Sequence, residues 1–531
     1  MSRMFRALGL FSALLVGAAA SAQTAPLAPV EQTALARDVF GTGVLDRDAG
    51  ALDASLWRGA EARIVGGLMS GVPARPSSPS IGVAARRILL SGGDAPAGAT
   101  AALGGARLKA LVRLGLIDEA REIESLAVGD KSDPSVLEAM ATADLLAGDA
   151  AAACAKVQRI ASPRDSADGA KLRAFCYAVA GELDAADLAL GLLRERGRLS
   201  AADEAILGPL AVGGKPKAGA AAIDAVHYGA LRYAGVPPAF WPLAEAGVQK
   251  AVAADAAAPL GARLAAARRA AAMGVMSAAA LRTLFGGAPV DVAVVAGGPE
   301  SFRQRPDDPV AIAAVFQSVR SRAAPEFARD RAATVAGVFS AVRDFETLFL
   351  AAALFADEVK GFDGLVVSRP EAEAFALARL ALGDVAAAEN WLAAGDVAGA
   401  GASSDIPALV AAAKSGEGPA TTVEARPSRD LALAVDGVIE AAAERITGQA
   451  ALAAIASSDL AAAGDPVADI VVVRGLSIAG LNDLARRRAI ERLLQSRFAR
   501  ALPASDSATP AAAPAVPVKG PAPRLKPAPS R

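Results

Sequence analysis

The chain is short of the residues on which most catalytic and ring-stacking sites depend. Its 531 residues include one histidine, two cysteines and only 4% aromatic residues. A lone histidine, His227, excludes a metal site built from several histidines of one chain. So few aromatic rings disfavour surfaces that stack bases or sugars. With 55 basic and 56 acidic residues, no net charge attracts nucleic acid, and we expect none as a partner.

Recognisable catalytic motifs are absent as well. The sequence has no G-x-S-x-G nucleophile elbow, no P-loop and no S-x-x-K motif, which removes the usual serine-nucleophile and phosphate-binding signatures. Carboxylates such as Asp118 and Glu119 lie at predicted helix starts, where a negative charge interacts favourably with the helix dipole. We therefore expect no catalytic residue, no cofactor and no metal, with His227 on a helix surface or packed beside Tyr228.

The start of the chain has the pattern of a secretory signal peptide, which we assign to residues 1–22. Arg3 and Arg6 give a basic start, residues 8–17 an apolar middle and residues 20–22 a small-residue cleavage site. The apolar run is too short to span a bilayer, and no later run of about eighteen apolar residues follows. We expect an exported protein without a transmembrane segment in its mature chain, and the periplasm as its compartment.

Three helix-turn-helix units follow one another at a fixed spacing. They centre on Gly115, Gly148 and Gly181, and each glycine follows the previous one by 33 residues. Apolar residues recur at helical spacing on both sides, which predicts that each glycine joins two helices in the left-handed conformation it adopts without a Cβ clash.

In the third unit, the stripe expected on the first helix is Leu172, Phe175, Cys176 and Val179, and that on the second is Ala185, Leu188, Ala189 and Leu192. Facing stripes predict antiparallel hairpins that bury their apolar surface by stacking on one another.

These units resemble the tetratricopeptide repeat family over residues 106–197. Ala120, Ala153 and Ala186 each lie five residues past the turn glycine, where that family keeps a small residue for close helix packing. The period is one residue short, and the family's Trp, Tyr and Pro positions are mostly missing. The resemblance implies an all-α solenoid of stacked antiparallel hairpins, in which the first helices line a concave surface that binds a protein or peptide.

By this resemblance, six residues of the first helices face the ligand, although they do not reproduce the family's carboxylate-binding pattern. The predicted groove residues are Lys109, Arg113, Glu138, Thr142, Lys171 and Phe175. The identity of the partner stays open.

The rest of the chain is expected to be mainly helical. The predicted parts are N-terminal helices at 23–105 that cap the solenoid, repeats at 106–207, further helical repeats at 220–413 with a loop or irregular helix near 286–308, a flexible loop at 414–429, C-terminal helices at 430–501 and a disordered Pro/Ala-rich tail at 502–531. Gly274, Gly383 and Gly480 repeat the offset to an alanine five residues later. Trp57 is expected to plug the end of the stack, and Ser80 to cap a helix.

Two further features leave alternatives open. Cys154 and Cys176 fall on the apolar stripes of neighbouring helices, which fits either a disulfide or two buried thiols. The last helix is rich in arginine, and its basic face is either solvated or in contact with an anionic envelope surface. Its arginines are Arg486, Arg487, Arg488, Arg492, Arg497 and Arg500.

Two functions fit this sequence. The first is an exported, non-catalytic helical-repeat scaffold that binds a protein or peptide in the cell envelope. The alternative is an envelope enzyme that acts on cell-wall polymer and is built on a helical solenoid. The enzyme would need a cleft-facing glutamate with a raised pKa.

Overall fold

Helices make up the regular structure of this protein. The structure, a computed structural model, describes residues 37–160, 166–217, 219, 222–396, 404–415, 437–462 and 465–501. Over these ranges there is no strand, and a single isolated bridge joins Glu61 to Ala97. The prediction of an all-α fold is confirmed. The predicted signal peptide, the tail and residues 416–429 of the predicted loop lie outside the described residues.

The first half of the described chain contains α1 (Ala62–Ser70), α2 (Pro79–Leu90), α3 (Ala101–Arg113), α4 (Ile117–Leu126), α5 (Pro134–Leu146), α6 (Ala150–Gln158), α7 (Ala167–Ala180), α8 (Leu183–Glu195), α9 (Ala201–Ala211), α10 (Ala225–Tyr233), α11 (Ala246–Ala254), α12 (Leu260–Ala272) and α13 (Ala278–Gly286).

The second half contains α14 (Val292–Ala296), α15 (Gly298–Gln304), α16 (Pro309–Ser321), α17 (Ala328–Ala341), α18 (Phe345–Leu354), α19 (Ala356–Gly361), α20 (Arg369–Ala381), α21 (Val385–Asp396), α22 (Ile406–Ser415), α23 (437–443), α24 (Thr447–Ala456), α25 (Ser458–Ala462), α26 (Pro466–Ile478) and α27 (Asn482–Ala501). Among these helices, none has both the length and the apolar character needed to cross a bilayer. The interruption expected near 286–308 contains α14 and α15.

The turn glycines lie where the sequence predicts them. Gly115, Gly148 and Gly181 separate α3 from α4, α5 from α6 and α7 from α8, with φ angles of 73°, 83° and 80°. The alanines five residues later, Ala120, Ala153 and Ala186, have no exposed surface. Each glycine therefore lets the chain reverse, and each alanine lets the second helix approach closely.

The stripe predicted for the second helix of the third unit is wrong. Leu188 and Leu192 are 66% and 49% exposed, whereas Ala186, Leu190 and Leu193 are buried. Ala186 lies on the face of α8 that packs against neighbouring helices. Leu188, two positions later, lies on the opposite face of the helix. The predicted pattern of a turn glycine and a buried alanine five residues later also fails after Gly274. Helix α13 begins only at Ala278, and Ala279 is exposed.

Helix α2 lies in the interior of the protein. Nine of its twelve residues are buried, and it contacts α3 as well as α24 and α27 from the far end of the chain. The capping role expected of the N-terminal helices stays a prediction. Helix α1 packs on α3 and on α24, so both α1 and α2 contact helices from distant parts of the sequence.

The N-terminus of α2 is capped by a residue of α27. The prediction that Ser80 is the cap is wrong, since the helix begins at Pro79, after Ser78, and Ser78 makes no capping bond. Instead, the buried carboxylate of Glu491 accepts hydrogen bonds from the Ser80 amide at 3.0 Å and from its hydroxyl at 2.5 Å. A carboxylate at this position satisfies a free amide and complements the helix dipole.

Trp57 lies between segments that are distant in sequence. Its ring packs against Phe40, with ring centroids 5.5 Å apart, and a side chain at Gly448 of α24 would come within 2.8 Å of it. Trp57 is buried and fills space, while its place at the end of a stack stays a prediction.

Most of the arginines of α27 are engaged inside the protein. Arg488 is buried and donates to Asp469 at 2.7 Å, and Arg492 pairs with the same carboxylate. Arg497 pairs with Asp405 at 2.9 Å. Arg487 lies over the ring of Phe349 and 3.4 Å from Glu491. Of the arginines whose side chains the structure describes here, Arg486 alone is exposed, so the prediction of a basic helix face is wrong for the others.

The tight contact between α2 and α12 gives a first test. A Cβ at Gly82 would fall 1.9 Å from the carbonyl oxygen of Met273, so Gly82→Ala forces backbone apart and we expect a loss of about 1–3 kcal/mol in the free energy of unfolding. Gly67 of α1 has nothing within 4 Å of its Cβ position. The matched control Gly67→Ala should stabilise by about 0.5–1 kcal/mol. Urea denaturation of both variants measures this; equal stabilities would contradict the packing described.

The two cysteines are joined in the structure. Cys154 of α6 and Cys176 of α7 form a disulfide with their Cα atoms 5.3 Å apart, which is one of the two arrangements that the sequence left open. The bond links two successive helix pairs.

Removing this bond should weaken the protein. A cross-link between residues 22 positions apart contributes about 3 kcal/mol by restricting the unfolded chain. We expect the double variant Cys154→Ala, Cys176→Ala to lose that amount in urea denaturation. Reductant should weaken the wild type to the same level and leave the double variant unchanged. A reductant-insensitive wild type would count against the disulfide.

Candidate binding cleft

Three of the six predicted groove residues meet at a small cavity beside α3 and α5. The cavity has a volume of about 270 Å³, and we call it the charged cleft. Its lining residues are Met69, Ser70, Ala106, Lys109, Ala110, Arg113, Thr142, Asp168, Asp224, Ala225, Val226 and Glu245. Three of the six predicted residues, Lys109, Arg113 and Thr142, are among them.

The other three predicted residues do not line the cleft. Phe175 is 1% exposed and meets Tyr233 edge-on at 6.0 Å, so its side chain belongs to the core and the prediction for it is wrong. Glu138 accepts a hydrogen bond from the Ser166 hydroxyl at 3.1 Å. Lys171 forms ion pairs behind the cleft, where it bridges two carboxylates.

Acidic residues near the starts of helices face the two cations of the cleft. Asp168 lies in the first turn of α7 and pairs with Lys109. Glu245 directly precedes α11, and its Oε1 lies 3.2 Å from Nε of Arg113. Asp224 caps α10. The helix dipoles favour carboxylates at these positions, so the local sequence explains why both signs of charge line one cavity.

The environment shifts the pKa values of two acids of the cleft, Glu245 and Asp168, in opposite directions. Burial raises the pKa of Glu245 to about 7, against the lowering effect of Arg113 and with some help from Asp224. Burial also acts on Asp168, but the charge and hydrogen bond of Lys109, with Lys171 and Arg113, outweigh it and hold the pKa of Asp168 below its ordinary value. Near neutral pH the cleft therefore has one carboxyl that readily exchanges a proton and one that stays ionised.

A buried polar network supports the cleft from behind. His227 is 2% exposed; its Nε2 lies 2.9 Å from Asp203 Oδ1, and its Nδ1 accepts a hydrogen bond from the Asp224 amide at 3.3 Å. Lys171 Nζ lies 2.8 Å from the same Asp203 oxygen. The network ties α7, α9 and α10 together. His227 is thus a packed histidine, as one of the two expectations had it, but local sequence does not reveal its contact with Asp203 of α9.

We tested whether this network fits a metal ion. The carboxylates of Asp203 and Asp224 and the ring of His227 are close enough to hold one. However, the ammonium group of Lys171 already occupies the cation position, 2.8 Å from Asp203 and 3.8 Å from Asp224. Burial favours the neutral amine, yet these carboxylates together raise the pKa of Lys171. The residues therefore fit a lysine ion pair better than a metal.

A wider cavity of about 900 Å³ shares Arg113 with the charged cleft. We call it the arginine cavity, because four arginines line it. Its lining residues are Ala74, Arg75, Pro76, Ser77, Arg113, Arg268, Arg269, Ala272, Met273, Asp344, Phe345, Glu346, Asp459 and Gln495. The sequence analysis missed it. The adjacent Arg268 and Arg269 in the alanine-rich α12 are the one local signal that could have indicated it.

A comparison of the chain with protein-family models, with curated proteins and with solved structures finds no match. What the site can do is therefore argued from its own geometry. A small cavity with charges of both signs shares Arg113 with a larger one rich in guanidinium groups, and such groups suit the binding of a charged ligand.

The raised pKa of Glu245 makes stability depend on pH. Its pKa is about 7 in the folded protein against an ordinary 4.5, so its stabilising effect is complete below about pH 4.5 and is lost as the pH rises through 7. As the pH rises from about 4.5 to 7, we expect the ionisation of Glu245 to lower the free energy of unfolding by about 3 kcal/mol. Glu245→Gln should abolish this dependence in urea denaturation between pH 5 and 8, while Glu122→Gln at an exposed position of α4 should keep it. A Glu245→Gln profile as steep as that of the wild type would refute the assignment.

Proposed function

We propose that this chain is an exported, non-catalytic helical-repeat scaffold that binds a protein or peptide partner in the cell envelope. One observation carries the proposal: Lys109 and Arg113 of α3 and Thr142 of α5 come together at the charged cleft. Three of the six residues predicted from a family of peptide-binding repeats thus line one cavity, which supports the proposal.

The sizes of the two cavities favour a peptide. The charged cleft, at about 270 Å³, is smaller than the usual range for small-molecule pockets, roughly 300–1,000 Å³, and has room for a single side chain. The arginine cavity, at about 900 Å³, has room for several residues. Because Arg113 lines both, an extended chain can place one side chain in the cleft and continue into the wider cavity.

The repeat architecture and the compartment are part of this proposal. Left-handed glycines followed by buried alanines, 33 residues apart, support a tetratricopeptide-like solenoid. The disulfide between Cys154 and Cys176 supports an oxidising compartment, which agrees with the signal-peptide pattern and with the periplasm.

A second candidate, an envelope enzyme acting on cell-wall polymer, is favoured by Glu245. This carboxyl lines the charged cleft and has a pKa of about 7, the range that a general acid requires. Two observations weigh against it. The guanidinium of Arg113 lies 3.2 Å from the same carboxyl, and the cleft is small for a sugar polymer.

Crosslinking in cells tests the scaffold. The tagged exported protein is crosslinked and its partners are identified; the double variant Lys109→Glu, Arg113→Glu should lose capture of the same partners. The matched control Arg322→Glu, Lys360→Glu reverses two exposed charges outside both cavities and should retain it. Circular dichroism is used to check that each variant is folded. The milder pair Lys109→Gln, Arg113→Gln should lose an intermediate share of partner capture.

A blank in the wild type, or capture that survives charge reversal in the cleft, would overturn the proposed scaffold role at this site. Release of soluble cell-wall fragments by the purified protein, abolished by Glu245→Gln, would replace it with the enzyme.

A further inference from the structure

We propose that the arginine cavity binds carboxylate groups of an acidic segment of the partner. This inference rests on the proposed scaffold function and names the chemistry of its ligand. Four guanidinium groups reach the cavity from three separate parts of the chain: Arg75 from the loop before α2, Arg113 from the end of α3, and Arg268 with Arg269 from α12.

Two of these arginines form no ion pair with a residue that the structure describes. Arg75 donates to the backbone carbonyl of Leu243 at 3.3 Å and Arg268 to that of Asp307 at 2.9 Å. A guanidinium group has five N–H donors, so both arginines retain donors that a carboxylate ligand can use.

Two of the three acids around the cavity are already engaged. Asp344 caps α18, where its carboxylate accepts from the Thr347 amide at 2.8 Å and from its hydroxyl at 2.7 Å. Glu346 pairs with Arg269. Asp459 is the third acid, and the charges of Arg75 and Arg113 act on it. The lining holds four arginines against three acids, so the cavity has a positive excess although the whole chain is nearly neutral.

Guanidinium groups match a carboxylate with two parallel hydrogen bonds. An acidic peptide meets these requirements with several carboxylates spaced along one flexible chain, which the volume of about 900 Å³ can receive.

Fluorescence anisotropy with a labelled hexaglutamate peptide tests this directly on the purified mature chain. We expect binding that weakens as salt is raised and no comparable binding of a labelled hexaglutamine. Arg75→Gln combined with Arg268→Gln should weaken hexaglutamate binding about tenfold or more. The control Arg474→Gln, at an exposed arginine of α26 outside the cavity, should leave it unchanged.

Two further measurements decide between the possible outcomes. If the glutamine pair is misfolded by circular dichroism, Arg75→Lys with Arg268→Lys keeps the charge, removes the planar fork and should still weaken binding. Inorganic phosphate serves as a competitor: binding of phosphate without binding of hexaglutamate would overturn the proposal in favour of a free phosphate site. Equal binding of both peptides, or binding insensitive to these arginines, would also overturn it. Partners still captured through the charged cleft would then show that the scaffold proposal stands without this inference.

Discussion

The carboxylate of Glu491 at the start of α2 is the contact on which much of the molecule depends. It is buried, and it bonds both the amide and the hydroxyl of Ser80, 411 residues away. A buried carboxylate is costly unless its oxygens are satisfied. Here the N-terminus of α2 and the carboxylate of Glu491, which also lies 3.4 Å from Arg487, satisfy each other, and the contact joins α2 to α27.

The same contact shapes the arginine cavity. Arg75 and Ser77 precede α2, and Gln495 of α27 donates to the carbonyl of Ser77 at 3.4 Å; all three line the arginine cavity. Small residues let the neighbouring helices close around it, since Gly82 of α2 packs directly on the end of α12. The wider cavity thus exists because helices distant in sequence are held at short range.

Sequence alone could predict the features that depend on local spacing. Helical periodicity predicts the turn glycines, the buried alanines after them and the closeness of Cys154 to Cys176. Lys109 and Arg113 could be placed on a common surface because they share one face of α3. Phe175 could not be placed correctly, since the resemblance assigned it to a groove while Tyr233, from a distant helix, covers it.

The features that sequence could not predict depend on long-range pairs. Ser80 is an ordinary helix cap by local rules, and only the arrival of α27 gives its amide another partner. His227 has no local signal for its contact with Asp203. Arg75 stands in a segment rich in proline and serine that reads as a linker. In each case the decisive neighbour lies on another helix, and periodicity carries no information about it.

The burial of α2 has a consequence for how this chain is made. During synthesis its apolar surface emerges long before the partner that caps it, so the early segment cannot reach its final packing until nearly the whole polypeptide is present. Contacts of such sequence separation slow folding. For a chain exported as proposed above, that delay is an advantage, because premature closure of its interior would block passage across the membrane.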